Sequence, residues 1–231
     1  IEGYYFFATS GYELKYNGEF AQILGRWNLG LTAQFNSPNY AMNFFGYGNN
    51  SFNSQTGDDA DRDFNRVRIR KAHAGAFLKW RGALGAKVTI AANFQSFHIE
   101  RTPGRYLETL YAAKNNVFQA QKFFNTEANY YYQHSDNPAF PTLGLAFTAA
   151  VGHTRNFAEV RNFSYAMSSL GITHKLIPNG KLVVSSKIDG HFTFGNDFEF
   201  YQGASIGGSE GLRGFRNERF TGKNAYYHTT D

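Results

Sequence analysis

Three groups of residues in this sequence have types that do chemistry. The run Gly57-Asp58-Asp59-Ala60-Asp61-Arg62-Asp63 gathers carboxylates of the kind a hard cation such as Ca²⁺ prefers. It lacks the spacing and closing Glu of a helix–loop–helix calcium site, so it reads as an acidic, solvated loop. Ser168 and His174 are a nucleophile and a base that a membrane lipase would need on one strand face, but nothing in their spacing selects them. Gly203, Gly207, Gly208, Gly211 and Gly214 crowd one stretch, yet they form no phosphate-binding fingerprint and no helix pattern follows them. The seven His are scattered without a His-Glu-x-x-His pair, and there is no Cys to form a thiolate site or a disulfide. The expectation is no catalytic residue, no metal site and no cofactor within this chain.

Bulk properties narrow the class. Of 231 residues, 42% are apolar and 18% aromatic, with 24 Phe and 15 Tyr, a composition rich in strand formers. Gly numbers 24 and Pro 5. Mean hydropathy is negative and no apolar run reaches the roughly 18 residues of a membrane helix. A barrel strand escapes that test, because it shows apolar residues on one face only. The formal charge of +5 is spread among strands and loops, which reads as wall and surface charge and not as a nucleic-acid site. Ile1 is preceded by neither a start Met nor a leader, so any signal peptide is expected outside this chain.

Alternation positions everything else. From Trp27 to Asn36, Trp27, Leu29, Leu31, Ala33 and Phe35 share one face, and Asn28, Gly30, Thr32, Gln34 and Asn36 the other. Val88, Ile90, Ala92 and Phe94 alternate with Lys87, Thr89, Asn93 and Gln95. Leu143 to Val151 and Lys181 to Phe194 repeat the pattern. It is looser in Tyr12–Phe20, in Arg66–Arg70 (where Val67 and Ile69 would form the apolar face), in Phe124–Gln133 and in Tyr165–Leu176. That makes about eight strands of roughly 10–16 residues, beyond the ~5–6 usual in soluble sheets and enough for the ~9–11 that cross a bilayer.

Connections alternate in length. Leu24–Arg26, Trp80–Ala83, Pro178–Gly180 and Ser135–Thr142 read as turns. Pro38–Asp63, Arg101–Ala120, Arg155–Ser164 and the residues after Gly195 read as longer segments. Short turns at one end and long loops at the other are the habit of outer-membrane barrels. Trp27, Trp80, Tyr130 to Tyr132, Phe97, Phe123 and Phe124 fall near strand ends, where interfacial girdles would place them. The fold class is therefore all-β, an antiparallel transmembrane β-barrel of which residues 1–231 are a portion.

The stretch from Gly203 to Gly222 follows a strongly alternating strand and is too rich in Gly and charge to face lipid. Gly207-Gly208 followed by Leu212-Arg213-Gly214-Phe215 resembles the inward-loop motif of the bacterial surface antigen superfamily of outer-membrane barrels (BamA-, TamA- and FhaC-like). The resemblance implies a barrel of about sixteen strands, with this loop, at about residues 196–225, folded into the interior. The eight segments above would be the fourth to eleventh strands, Ile1–Thr9 the end of the third and Tyr226–Asp231 the start of the twelfth. It implies that Arg213 pairs with carboxylates on the inner wall of the later strands, which are expected to lie outside this chain. The run Asn43-Phe44-Phe45-Gly46-Tyr47-Gly48-Asn49 resembles a loop of Bacteroidetes members, some of which carry an N-terminal calcineurin-like phosphoesterase domain.

The functional expectation is a non-enzymatic outer-membrane barrel acting in insertion or translocation of proteins. Its partners would be outer-membrane lipids and lipopolysaccharide, client outer-membrane or secreted proteins and accessory subunits, with no nucleic acid. The alternatives are a barrel anchoring a fused soluble enzyme (phosphoesterase or patatin-like), a generic porin-like channel, and a soluble β-rich binding protein.

Overall fold

A computed structural model describes residues 1–39, 42–52, 61–113, 115–208 and 211–231. The strands are β1 (Glu2–Phe6), β2 (Gly11–Leu24), β3 (Trp27–Asn36), β4 (Met42–Asn43), β5 (Arg66–Val67), β6 (Ile69–Arg81), β7 (Lys87–Ile99), β8 (Gln121–Ser135), β9 (Leu143–Asn156), β10 (Asn162–Lys175), β11 (Val183–Phe194), β12 (Ala204–Ile206), β13 (Phe220–Gly222) and β14 (Asn224–Thr230). One short helix, α1 (Tyr106–Leu110), lies between β7 and β8. Ten strands form one antiparallel sheet in the order β1-β2-β3-β6-β7-β8-β9-β10-β11-β14. Each neighbour in the sheet is the next long strand in sequence. The sheet is open, with β1 and β14 as its edges.

Seven of the eight alternating segments lie in this sheet and the two terminal segments supply its edges, while Arg66–Arg70 is divided between β5, in a separate pair with β4, and the start of β6. Register makes the two faces consistent from strand to strand. The row Phe20, Leu29, Leu78, Ile90 runs across β2, β3, β6 and β7 on one face, since these residues are cross-strand partners. The same face carries Leu143, Leu145 and Val151 on β9, Leu170 and Ile172 on β10, and Ile188, Phe192 and Phe194 on β11, all exposed. In β3 and β6 to β11 every exposed large apolar side chain stands on it. We call it the bare face.

The opposite, covered face is polar along most of its length. Glu19 accepts from Lys79 Nζ at 2.7 Å, Arg81 Nη2 at 2.8 Å and Asn28 Nδ2 at 2.6 Å. Glu13 pairs with Lys15 at 2.9 Å and accepts from Gln34 and Asn36, each at 2.7 Å. The Tyr165 hydroxyl donates to Glu127 at 2.6 Å, and its ring lies over Gly152. Polar groups removed from bulk water are stable only when partnered in this way.

The long connections fold onto one end of the covered face. Phe44, Val67, Ile69, Ile99, Leu107, Val117 and Phe200 form a buried apolar cluster there. Val67 and Ile69 thus belong to the covered side, with Arg66, Arg68 and Arg70 exposed, the reverse of the lipid-facing role that alternation alone predicts. The cause is the apolar cap, which gives the sheet a second buried surface at that end. Phe97 and Phe123 also point into the covered side, 5.9 Å apart, and are not girdle residues.

Two connections differ from expectation. β6 runs on to Arg81, so the turn there is 82–86 and holds a short 3₁₀ turn, Ala83–Gly85. β9 and β10 reach Asn156 and Asn162, leaving only 157–161 where a longer loop was expected, because the ladder continues to Asn162↔Arg155. Among the described residues no helix is long and apolar enough to cross a membrane.

Candidate functional site

The segment between β11 and β14 is the part of the chain with the most unusual backbone, and it lies over the covered face. It begins with a 3₁₀ turn, Phe200–Gln202, held by a reciprocal cap in which Gln202 Oε1 accepts from the Glu199 N–H at 2.9 Å. The Glu199 carboxylate also takes Arg161 Nη1 at 2.7 Å, pinning the segment to the β9–β10 turn. Phe200 packs on Phe44 at 4.6 Å and Tyr201 on Phe97 at 4.7 Å. Burial pushes the phenols of Tyr47, Tyr111 and Tyr201 in this cap upward.

β12 and β13 then form a small hairpin. Ser205 and Ile206 share a cavity of about 250 Å³ with Met167, Ser169, His191 and Tyr227. The backbone reverses at Gly207 and Gly208, whose φ values of 136° and 61° disfavour any residue with a Cβ. A Cβ on Gly208 would overlap the Asn217 side chain. Gly211, at φ 89°, lies against the Tyr227 ring of β14, where a Cβ would collide.

The motif residues separate from here. Leu212 is half-buried, and its carbonyl accepts from the Gly208 N–H at 3.0 Å. Gly214 and Phe215 are exposed, with the Phe215 ring 5.6 Å from that of Phe220. Arg213 is 85% exposed and forms a two-point contact with Asp231, at 3.1 and 3.4 Å. Asp231 exchanges backbone hydrogen bonds with Ser185, so it shares the covered face with Ser185, Lys187 and Asp189. One carboxylate partner of Arg213 thus lies within this chain, just past β14, where the resemblance implies carboxylates on later strands.

The deeper anchor is Arg219, which sequence reasoning passed over. Its guanidinium sits 5.0 Å from the Phe45 ring and 4.5 Å from the Phe220 ring, and donates to Ser51 Oγ at 2.9 Å and Ser51 O at 2.7 Å. Stacking on aromatic faces suits the weakly hydrated guanidinium. Glu218 accepts from the Asn43 N–H at 3.0 Å, Arg216 donates to Arg62 O at 2.9 Å, and Gly48 donates to Thr221 O at 2.8 Å. The segment is thereby tied to the β3–β6 connection, which leaves the sheet several strands away. The available signal was Arg219-Phe220 facing Phe44-Phe45, two adjacent pairs in separate loops.

The remaining candidates do not assemble. Ser168 and His174 share the exposed bare face of β10, but six residues separate them, roughly 20 Å along a strand. They form no dyad. Of the acidic run, Gly57 to Ala60 lie outside the described residues. Asp61 and Asp63 face Arg105 at 3.7 and 3.5 Å, and Asp63 also pairs with Arg66 at 3.0 Å. Among the described residues no group of three or more ligands is placed to hold a metal. Fold and site define an all-β protein with one large antiparallel sheet, apolar on its bare face and polar beneath an inward segment. No family model matches the chain, and no curated protein matches it.

Proposed function

We propose that the sheet is wall of an outer-membrane β-barrel, and that residues 203–222 are the inward loop of a BamA-like protein that inserts or translocates other proteins. The carrying observation is the bare face. Monomeric soluble proteins rarely expose a contiguous apolar patch above roughly 300–600 Å², and here the patch runs across β2 to β11 while charges cluster on the covered side. Aromatic residues bracket this patch. Trp27 and Phe35 on β3, and Tyr132 and Phe124 on β8, stand eight residues apart on the bare face. That is roughly 26 Å along the strand, or about 20 Å after a 35–45° tilt, close to the ~25 Å apolar band of such barrels.

The non-enzymatic role rests on the inward segment and its motif. Arg213 reaches the Asp231 carboxylate, which lies on the covered face just past β14. Cell fractionation and conditional depletion test the reading. The protein should partition with outer membranes and leave them only with detergent, and its depletion should lower the level of other outer-membrane or secreted proteins. Release by alkaline buffer without detergent would sink the membrane reading. Unchanged client levels would sink the insertion role while leaving the barrel standing, and point to a porin-like channel or an anchor.

A further inference from the structure

Among the Lys, Arg, Asp and Glu residues of the ten paired strands, only Arg70, Lys122 and Arg155 stand on the bare face, all at the long-loop end. At the long-loop end, Arg70 on β6 stands directly opposite His98 on β7. Ser96 of β7 faces Lys122 of β8, which places Lys122 diagonal to His98 on the same face. Phe124 faces Arg155 of β9, which places Arg155 diagonal to Lys122. Diagonal cross-strand neighbours stand about 7–8 Å apart, so the four form one row across four adjacent strands. Arg70, Lys122 and Arg155 are exposed, and among the described residues none of them makes an ion pair. The neighbouring carboxylates are set aside from the row. Glu100 lies opposite Arg68, beyond Arg70, and Glu159 is bound to Arg161 at 2.6 Å.

The row sits just outside the aromatic level of Phe94 and Phe124. Beside Arg155 opens a hollow of about 450 Å³, walled by Phe124, Phe157, Ala158 and Val160, with Asn156 and Glu159 on its polar side. Val160 is 93% exposed and Phe157 62%, although both are apolar residues in a turn. Phe157 packs on Phe94 at 5.7 Å, which links the turn to the sheet's apolar surface. An apolar hollow flanked by unpaired cations at one depth fits an amphiphile with an anionic head.

We propose that the β7–β9 part of the bare face is a binding site for one anionic lipid, its headgroup phosphate held by Lys122 and Arg155 and an acyl chain lodged in the hollow under Phe157 and Val160. Arg70 extends the basic row along the same leaflet. Arg and Lys both serve phosphate, Arg by its two-point fork and Lys as a point charge. The proposal rests on the membrane reading above.

The test uses the full-length protein that contains this chain, refolded into phosphatidylcholine vesicles with and without a minority of phosphatidylglycerol. Folding is followed by heat-modifiable migration, and retained lipid by native mass spectrometry after detergent release. The unaltered protein should carry phosphatidylglycerol in preference to phosphatidylcholine, and high salt should weaken that preference. The K122Q/R155Q double variant should fold equally and lose the preference by on the order of thirtyfold, taking about fivefold per basic residue near a charged surface. R26Q, in the turn at the opposite end, should keep it. A preference that survives K122Q/R155Q, or that is absent from the unaltered protein, overturns the lipid site and leaves the barrel intact. A chain that enters neither kind of vesicle overturns the membrane reading and the lipid site with it.

Discussion

On the covered face Glu19 is surrounded by Lys79, Arg81 and Asn28, all within 2.8 Å. One residue further along the same strand, Phe20 heads a row of Leu29, Leu78 and Ile90 on the bare face. The same backbone ladder serves both rows, so the difference lies only in which solvent each face is built to meet. A soluble sheet buries its apolar face against a second layer. Here the layer lies on the polar face, as the loop cap at the long-loop end and the 203–222 segment over β10, β11 and β14.

The sharpest way to break this comparison is to place one charge on each face at adjacent positions. Leu170→Arg puts it on the bare face of β10, and should cost roughly 2–4 kcal/mol in urea unfolding from vesicles, as for charges at mid-bilayer. Ser169→Arg puts it on the covered face opposite Asp189, and should cost less than about 1 kcal/mol. Equal effects would mean that the bare face does not contact lipid.

Within the inward segment, Arg219 and Arg213 offer a second contrast. Arg219→Ala removes two aromatic contacts and two hydrogen bonds at a half-buried position, and should lower stability by about 2 kcal/mol. Arg213→Ala breaks an exposed pair, and should cost no more than about 1 kcal/mol. A transport assay separates stability from role: a large functional loss in Arg213→Ala with unchanged unfolding assigns the motif to function and not to folding.

The smallest effect is expected at the β8–β9 turn. The Asp136 carboxylate accepts from the Thr142 hydroxyl and from the Thr142, Leu143 and Asn137 N–H groups, which hold its pKa well below the usual carboxylate range. The stabilisation this brings is present above the unfolded carboxylate pKa of about 3.9. It fades as pH falls below that value toward the folded one. The melting difference between the unaltered protein and Asp136→Ala should thus be seen at neutral pH and shrink in strong acid.

The strands and their faces were legible because period-two alternation is a local property. Trp27 to Asn36 and Leu143 to Val151 needed no tertiary information. The cap was illegible for the converse reason. Phe44, Leu107, Val117 and Phe200 come from three separate connections with no shared period, and they reverse the meaning of Val67 and Ile69 by burying them on the covered side. In the inward segment the Gly positions and Arg213 were visible as a motif. Arg219 was not, since its partners Phe45 and Ser51 lie more than 160 residues away in sequence.

That arrangement has a kinetic side. Every pairing in the large sheet joins long strands adjacent in the chain, so the sheet can grow outward strand by strand from any hairpin. The cap brings Phe44 against Phe200, a closure that gains nothing until most of the intervening chain is in place. The order of assembly is therefore built into the topology. The topology favours an order in which the sheet pairs strand by strand and the Phe44–Phe200 contact closes last.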